Sequence, residues 1–158
     1  MSNKEPNSVS KLLDYSLYEL PEEPQEKQRF LGHGKKSVMV IAKVDDAGND
    51  IEFLQSVLSP LGINYPEDVF ILITPDPQVS FVWLCQNYDF DKLVLFGVDT
   101  KVIGMQITVS LYRPINIAKK RLIFADHIDV FTSEKAKGGS RPKAKQLWMA
   151  LKSFFENS

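Results

Sequence analysis

Lys36-Ser-Val-Met-Val-Ile-Ala-Lys43 leads through Val44 into the polar loop Asp45-Asp-Ala-Gly-Asn49, and Phe53, Leu54, Val57, Leu58 and Leu61 then follow at helical spacing. The first run is short and continuously apolar rather than alternating, as in a parallel strand buried on both faces. Asn49 and Glu52 form a capping box at the predicted helix start, and Gly62 is a fitting stop. This strand–loop–helix unit decides the fold because it repeats. Residues 68–74 read as a second buried strand, ended by Pro75-Asp-Pro77, and Phe81, Leu84, Cys85 and Tyr88 mark a second helical face. Residues 92–97 are a third strand, after which Asp99 caps a short helix running towards Met105. The alternation predicts an α/β protein, a three-layer αβα sandwich around a mainly parallel sheet. Beyond Met105 the pattern loosens. Residues 107–111 and 115–117 read as short strands and 121–125 as a clearer one. The last helix starts at Pro142, where a missing N–H costs nothing, and its apolar face is Ala144, Leu147, Trp148, Leu151, Phe154 and Phe155.

The chain has 158 residues, 44% hydrophobic and 25% charged, enough for one domain with a sizeable core and no staples. Cys85 is the only cysteine, so an intramolecular disulfide, an iron–sulfur cluster and a cysteine-based zinc site are excluded, and neither metal nor cofactor is expected. No apolar run reaches the roughly 20 residues of a membrane span, and the start lacks a signal-peptide core, so a cytoplasmic protein without membrane contact is expected. A net charge of −1 means that any nucleic-acid contact must come from local clustering. Residues 1–35 are rich in Ser, Asn, Glu, Pro and Gln and read as a tail, leaving 36–158 as the domain. Within the tail, residues 11–20 hold an apolar cluster of Leu12, Leu13, Tyr15, Leu17, Tyr18 and Leu20. These side chains either fold back on the domain or dock on a protein partner.

Function should sit where apolar strands give way to polar loops, the edge at which open α/β sheets bind ligands. Residues 121–143 fit that description. They pass from a strand through His127 into a basic run, Glu-Lys-Ala-Lys-Gly-Gly-Ser-Arg-Pro-Lys143, read as a loop before the last helix. Lys135, Lys137, Arg141, Lys143 and Lys145 are five cations within eleven residues. Gly138 and Gly139 would let backbone N–H groups approach a phosphate, and the next helix start adds a favourable dipole. Such a run either contacts DNA phosphates without reading sequence or is a solvated loop.

In order and spacing, these elements resemble the uracil-DNA glycosylase superfamily over about residues 37–155. The residues that carry the likeness are Phe53-Leu-Gln-Ser-Val-Leu-Ser-Pro-Leu-Gly62, Lys92-Leu-Val-Leu-Phe-Gly97, Leu122-Ile-Phe-Ala-Asp-His127 and Lys145-Gln-Leu-Trp148. The resemblance implies that Asp45 or Asp46 stands at the water-activating position and His127 at the position that stabilises charge in the transition state. Such an enzyme flips a base from the stack, positions water with a carboxylate and steadies the departing base with a donor. The chain departs from the family where chemistry is done. Val44-Asp-Asp-Ala-Gly48 lacks the first loop's proline and leading glycine, and His127-Ile-Asp129 lacks the proline and serine of the histidine loop. Phe70 and Phe96 read as core residues rather than as a stacking platform. The chain is also similar to the psi subunits of the bacterial clamp-loader assembly, non-catalytic members of this fold class. The similar stretches are Tyr15-Ser-Leu-Tyr-Glu-Leu-Pro21, Ser37-Val-Met-Val40 and Val69-Phe-Ile-Leu-Ile-Thr-Pro75. The resemblance implies a non-catalytic interaction protein in DNA replication or repair, with a protein partner and DNA touched through the basic run. The alternatives are a diverged glycosylase hydrolysing an N-glycosidic bond and a small domain binding a phosphate ligand.

Overall fold

A computed structural model of the chain describes residues 30–44 and 50–156. Five strands, β1 (Val38–Lys43), β2 (Val69–Thr74), β3 (Lys92–Phe96), β4 (Ile115–Ile117) and β5 (Lys120–Ala125), form one sheet in the order β2-β1-β3-β5-β4. The first three and β5 run parallel, and β4 pairs antiparallel with β5 at the edge. Among the described residues four α-helices follow the strands: α1 (Asp50–Leu58), α2 (Phe81–Asn87), α3 (Ile128–Lys137) and α4 (Pro142–Glu156). Short 3-10 turns cover Ser59–Leu61 and Thr100–Ile103.

Alternate residues of each strand feed two cores. Val38, Val40, Ala42, Val94, Phe96, Ile123 and Ala125 pack under α1, α3 and α4, contributed by Leu54, Leu58, Phe131, Leu147, Leu151 and Phe154. Met39, Ile41, Leu93, Leu95, Leu122 and Phe124 face the other way, against Phe81 and Leu84 of α2 and Ile103. Helices therefore cover both faces of the sheet, which is why β1 is buried from Val38 to Ala42 without alternation. Two of the caps read from the sequence recur: the Asp99 side chain accepts from the Thr100 N–H, and Gly62 ends the first helical unit at φ +82°. A further cap is found at Ser80, whose side chain accepts from the Trp83 N–H. Asn49 lies outside the described residues.

Three expectations are corrected. Residues 107–111 form no strand; Ile107 and Leu111 are exposed, and the Ile107 carbonyl accepts the Thr100 hydroxyl instead of a ladder N–H. The stretch after His127, read as a loop, is helical through Lys137. Only Ile128 and Phe131 of α3 are buried, so its apolar face is one turn long and gives almost no periodic signal. Residues 30–35, read as the end of the tail, hydrogen-bond to β2 and the turn before it, at Leu31–Ile71, His33–Pro66 and Lys35–Glu67.

The β4–β5 hairpin turns on Ala118 and Lys119, at φ +54° and +66°. Two positive φ values define the tight turn whose twist matches paired strands, and it favours Asn-Gly. Because alanine and lysine strain there by roughly 1 kcal/mol each, Ala118→Asn with Lys119→Gly should stabilise the protein by about 1 kcal/mol. Denaturant unfolding at constant m-value checks this.

Candidate functional site

Beta-strand β1 has β2 on one side and β3 on the other, so the chain reverses direction across the sheet between β1 and β3. The crevice outside the carboxyl ends of these strands is the expected ligand position. Asp45 and Asp46 belong to the loop after β1 and lie outside the described residues. The other side of the crevice is described. A cleft of about 330 Å³ lies between the end of β3 and the end of β5, bordered by Gly97, Asp99, Thr100, Leu111, Asp126 and His127.

His127 caps α3: its Nδ1 accepts from the Asp129 N–H at 3.1 Å. In the neutral ring this leaves the proton on Nε2. Protonation at Nδ1 would replace that cap with an ion pair to Asp129 Oδ2, 3.6 Å away. The imidazole lies against the Gly97 backbone, where an added Cβ would stand 2.9 Å from Cδ2. Gly97, at φ +69°, therefore serves a turn and a close approach at once.

Asp126, the residue before His127, is partly buried. Its Oδ2 accepts the Tyr112 hydroxyl proton at 2.5 Å and lies 3.4 Å from Lys143 Nζ. Tyr112 is brought there from the irregular segment before β4 by its own N–H, which donates to the Phe124 carbonyl at 2.8 Å. Burial, together with the hydrogen bond to Asp126, raises the Tyr112 hydroxyl pKa well above the usual value of 10.0. A group whose folded pKa is raised contributes stability in full below its unfolded pKa, and loses it as pH rises towards the folded value. Stability should therefore fall from about pH 10 upward. Tyr112→Phe should flatten that alkaline loss while costing stability at pH 7, as chemical unfolding between pH 7 and 11 would show.

The basic residues are divided between helix and loop. Lys135 and Lys137 lie in the last turn of α3, Gly138 and Gly139 form the link at φ +75° and +73°, and Arg141, Lys143 and Lys145 surround the start of α4. All five cations are exposed. Lys143 reaches Asp126, whereas Lys135, Lys137, Arg141 and Lys145 make no side-chain ion pair or hydrogen bond among the described residues. The N–H groups at the start of α4 are already engaged: Glu134 Oε2 accepts from Lys143 N at 2.8 Å and Oε1 from Ala144 N at 3.0 Å. This carboxylate occupies the place that a phosphate at that helix start would take.

No family model matches the chain, and no curated protein matches it. The arrangement must therefore be interpreted from its own chemistry. Among the described residues no three His, Cys, Asp or Glu side chains are grouped to hold a metal, and no helix is long and apolar enough to cross a membrane. Of the two aromatics read as core, Phe96 is buried and Phe70 packs against the second core cluster beside Tyr88. Lys119, Lys120 and Arg121 form a second cluster of cations, and Lys120 and Arg121 lie at the amino end of β5. Lys120 Nζ donates to the Phe90 carbonyl at 2.6 Å, and Arg121 donates to the Phe154 carbonyl near the end of α4 at 3.0 Å. The two basic clusters are thus separated by the length of α4, about 22 Å for fifteen residues.

Sequence reasoning missed Tyr112 and Glu134. The positive φ of Tyr112, +65°, is unusual for an aromatic residue and has no pattern in sequence. Glu134 is marked only by its distance from a helix start, nine residues on, that a loop reading conceals.

Proposed function

We propose that this chain is a non-catalytic interaction protein with a uracil-DNA glycosylase-like fold, acting in DNA replication or repair much as the psi subunits do. Its segment 11–20 takes a protein partner, and its basic corner touches DNA phosphates. The observation that carries the reading is how the polar side chains beside the strand ends are used. Asp126 is bonded to Tyr112 and Lys143, Asp99 caps the turn after β3, and His127 Nδ1 caps α3. Each holds backbone or another side chain in place, whereas glycosylase chemistry needs such groups to converge on one reacting atom. Beside them stand four exposed cations with no side-chain partner among the described residues, Lys135, Lys137, Arg141 and Lys145. Cations without a base-edge reader favour binding that depends on salt and not on sequence.

The test is incubation of the full chain with single- and double-stranded DNA containing uracil. Retarded DNA with the base intact is expected. An abasic product that disappears in Asp46→Asn or His127→Ala would overturn the reading in favour of a diverged glycosylase.

A further inference from the structure

A second cavity, of about 470 Å³, lies away from the strand-end cleft, between α1 on one side and α3 and α4 on the other. Phe53 and Val57 of α1 face Phe131 and Leu147 across it, with Trp148 bordering the groove at 37% exposure. Phe53 stacks on Phe131 with ring centroids 5.7 Å apart. Lys135 and Arg141 stand at the same groove. An apolar trough between helices, edged by Glu52 and by two cations, Lys135 and Arg141, that have no side-chain partner among the described residues, fits a peptide carrying apolar anchors and acidic residues.

We propose that, while no protein partner holds it, the chain's own segment 12–20 is the occupant, seated through Leu13, Leu17 and Leu20. Three observations favour it over a foreign peptide. The anchors recur at i, i+4 and i+7, the spacing with which an amphipathic segment fills a hydrophobic groove. Asp14, Glu19, Glu22 and Glu23 accompany them and complement Lys135 and Arg141. The route is also short. Leu31 pairs antiparallel with Ile71, so the chain preceding Phe30 is directed towards the carboxyl end of β2, the edge at which α1 begins. Nine residues, and so ten Cα–Cα steps, separate Leu20 from Phe30. They span up to roughly 33 Å, more than the approximately 20 Å of two strand spacings and one packed layer. Tethering supplies an effective concentration in the millimolar range, so a weak contact suffices. The seated segment shields Lys135 and Arg141, and DNA then competes with it. Only this last step rests on the reading of the basic corner given above.

The test uses the full chain labelled with 5-fluorotryptophan. Trp148 reports on the groove, and Trp83 of α2, which packs against Tyr88 on the opposite face, is the control. Trp83→Phe assigns the two signals. In the triple variant Leu13→Asp, Leu17→Asp, Leu20→Asp, the Trp148 fluorine signal should shift and the Trp83 signal should stay. An unmoved Trp148 signal overturns the proposal, as does equal movement of both signals. A wild-type Trp148 signal that changes with protein concentration also overturns it, in favour of a second copy's tail. The triple variant should bind single-stranded DNA more tightly than wild type at low salt. A Trp148 shift without DNA binding by either chain supports the seat and removes the DNA reading.

Discussion

Gly97→Ala should destabilise the protein by about 3 kcal/mol, combining roughly 1–2 kcal/mol of left-handed backbone strain with 1–3 kcal/mol of overpacking. In a chain of this size that lowers Tm by about 10 °C. The new Cβ would sit 2.9 Å from His127 Cδ2, 3.1 Å from its Cα and 3.2 Å from its Cβ, at a residue whose φ is +69°. A double-mutant cycle separates the causes. His127→Ala removes the ring contact but leaves the Cα and Cβ contacts, so Gly97→Ala should cost less in the His127→Ala background without becoming neutral. Additive losses would mean that the imidazole does not rest on the Gly97 backbone, and His127 would then be free to face the strand-end crevice.

Reversing Lys135, Lys137, Arg141 and Lys145 to glutamate together should reduce affinity for DNA about 100-fold or more at 50 mM salt, the loss expected when four phosphate contacts are removed. All four side chains are exposed, and none has a side-chain partner among the described residues, so the fold should survive nearly unchanged. Lys120 and Arg121 provide the contrast. Their head groups bind the Phe90 and Phe154 carbonyls and lie over the rings of the same residues, at 4.6 Å and 5.2 Å. Replacing either should lower stability and leave DNA affinity largely intact. Electrophoretic retardation beside thermal unfolding of each variant distinguishes the two kinds of lysine and arginine.

The strands and the caps were readable because burial on both faces and backbone capping each leave a local mark. Val38–Lys43, Val69–Thr74 and Lys92–Phe96 are continuous apolar runs, and Asp99 and Gly62 sit where the backbone needs them. Helix α3 was not readable, since two buried residues in ten carry no period. The site was less legible still. His127 was found as a residue but not as a helix cap, because the helix that it caps was taken for a loop. The basic run was visible, yet nothing local in sequence says that Glu134 folds back onto the start of α4 or that Tyr112 reaches Asp126 fourteen residues away. Those pairings are made by tertiary structure, and the Glu134 pairing fills an apparent anion site with the protein's own carboxylate.

The proposed role requires that the basic corner bind DNA through its phosphates. The direct measurement is the affinity of the full chain for a single-stranded oligonucleotide, titrated from 50 to 200 mM salt. Log affinity should fall linearly with log salt with a slope of about −3, the value for four neutralised phosphates. No binding at 50 mM, or a slope near zero, would contradict it.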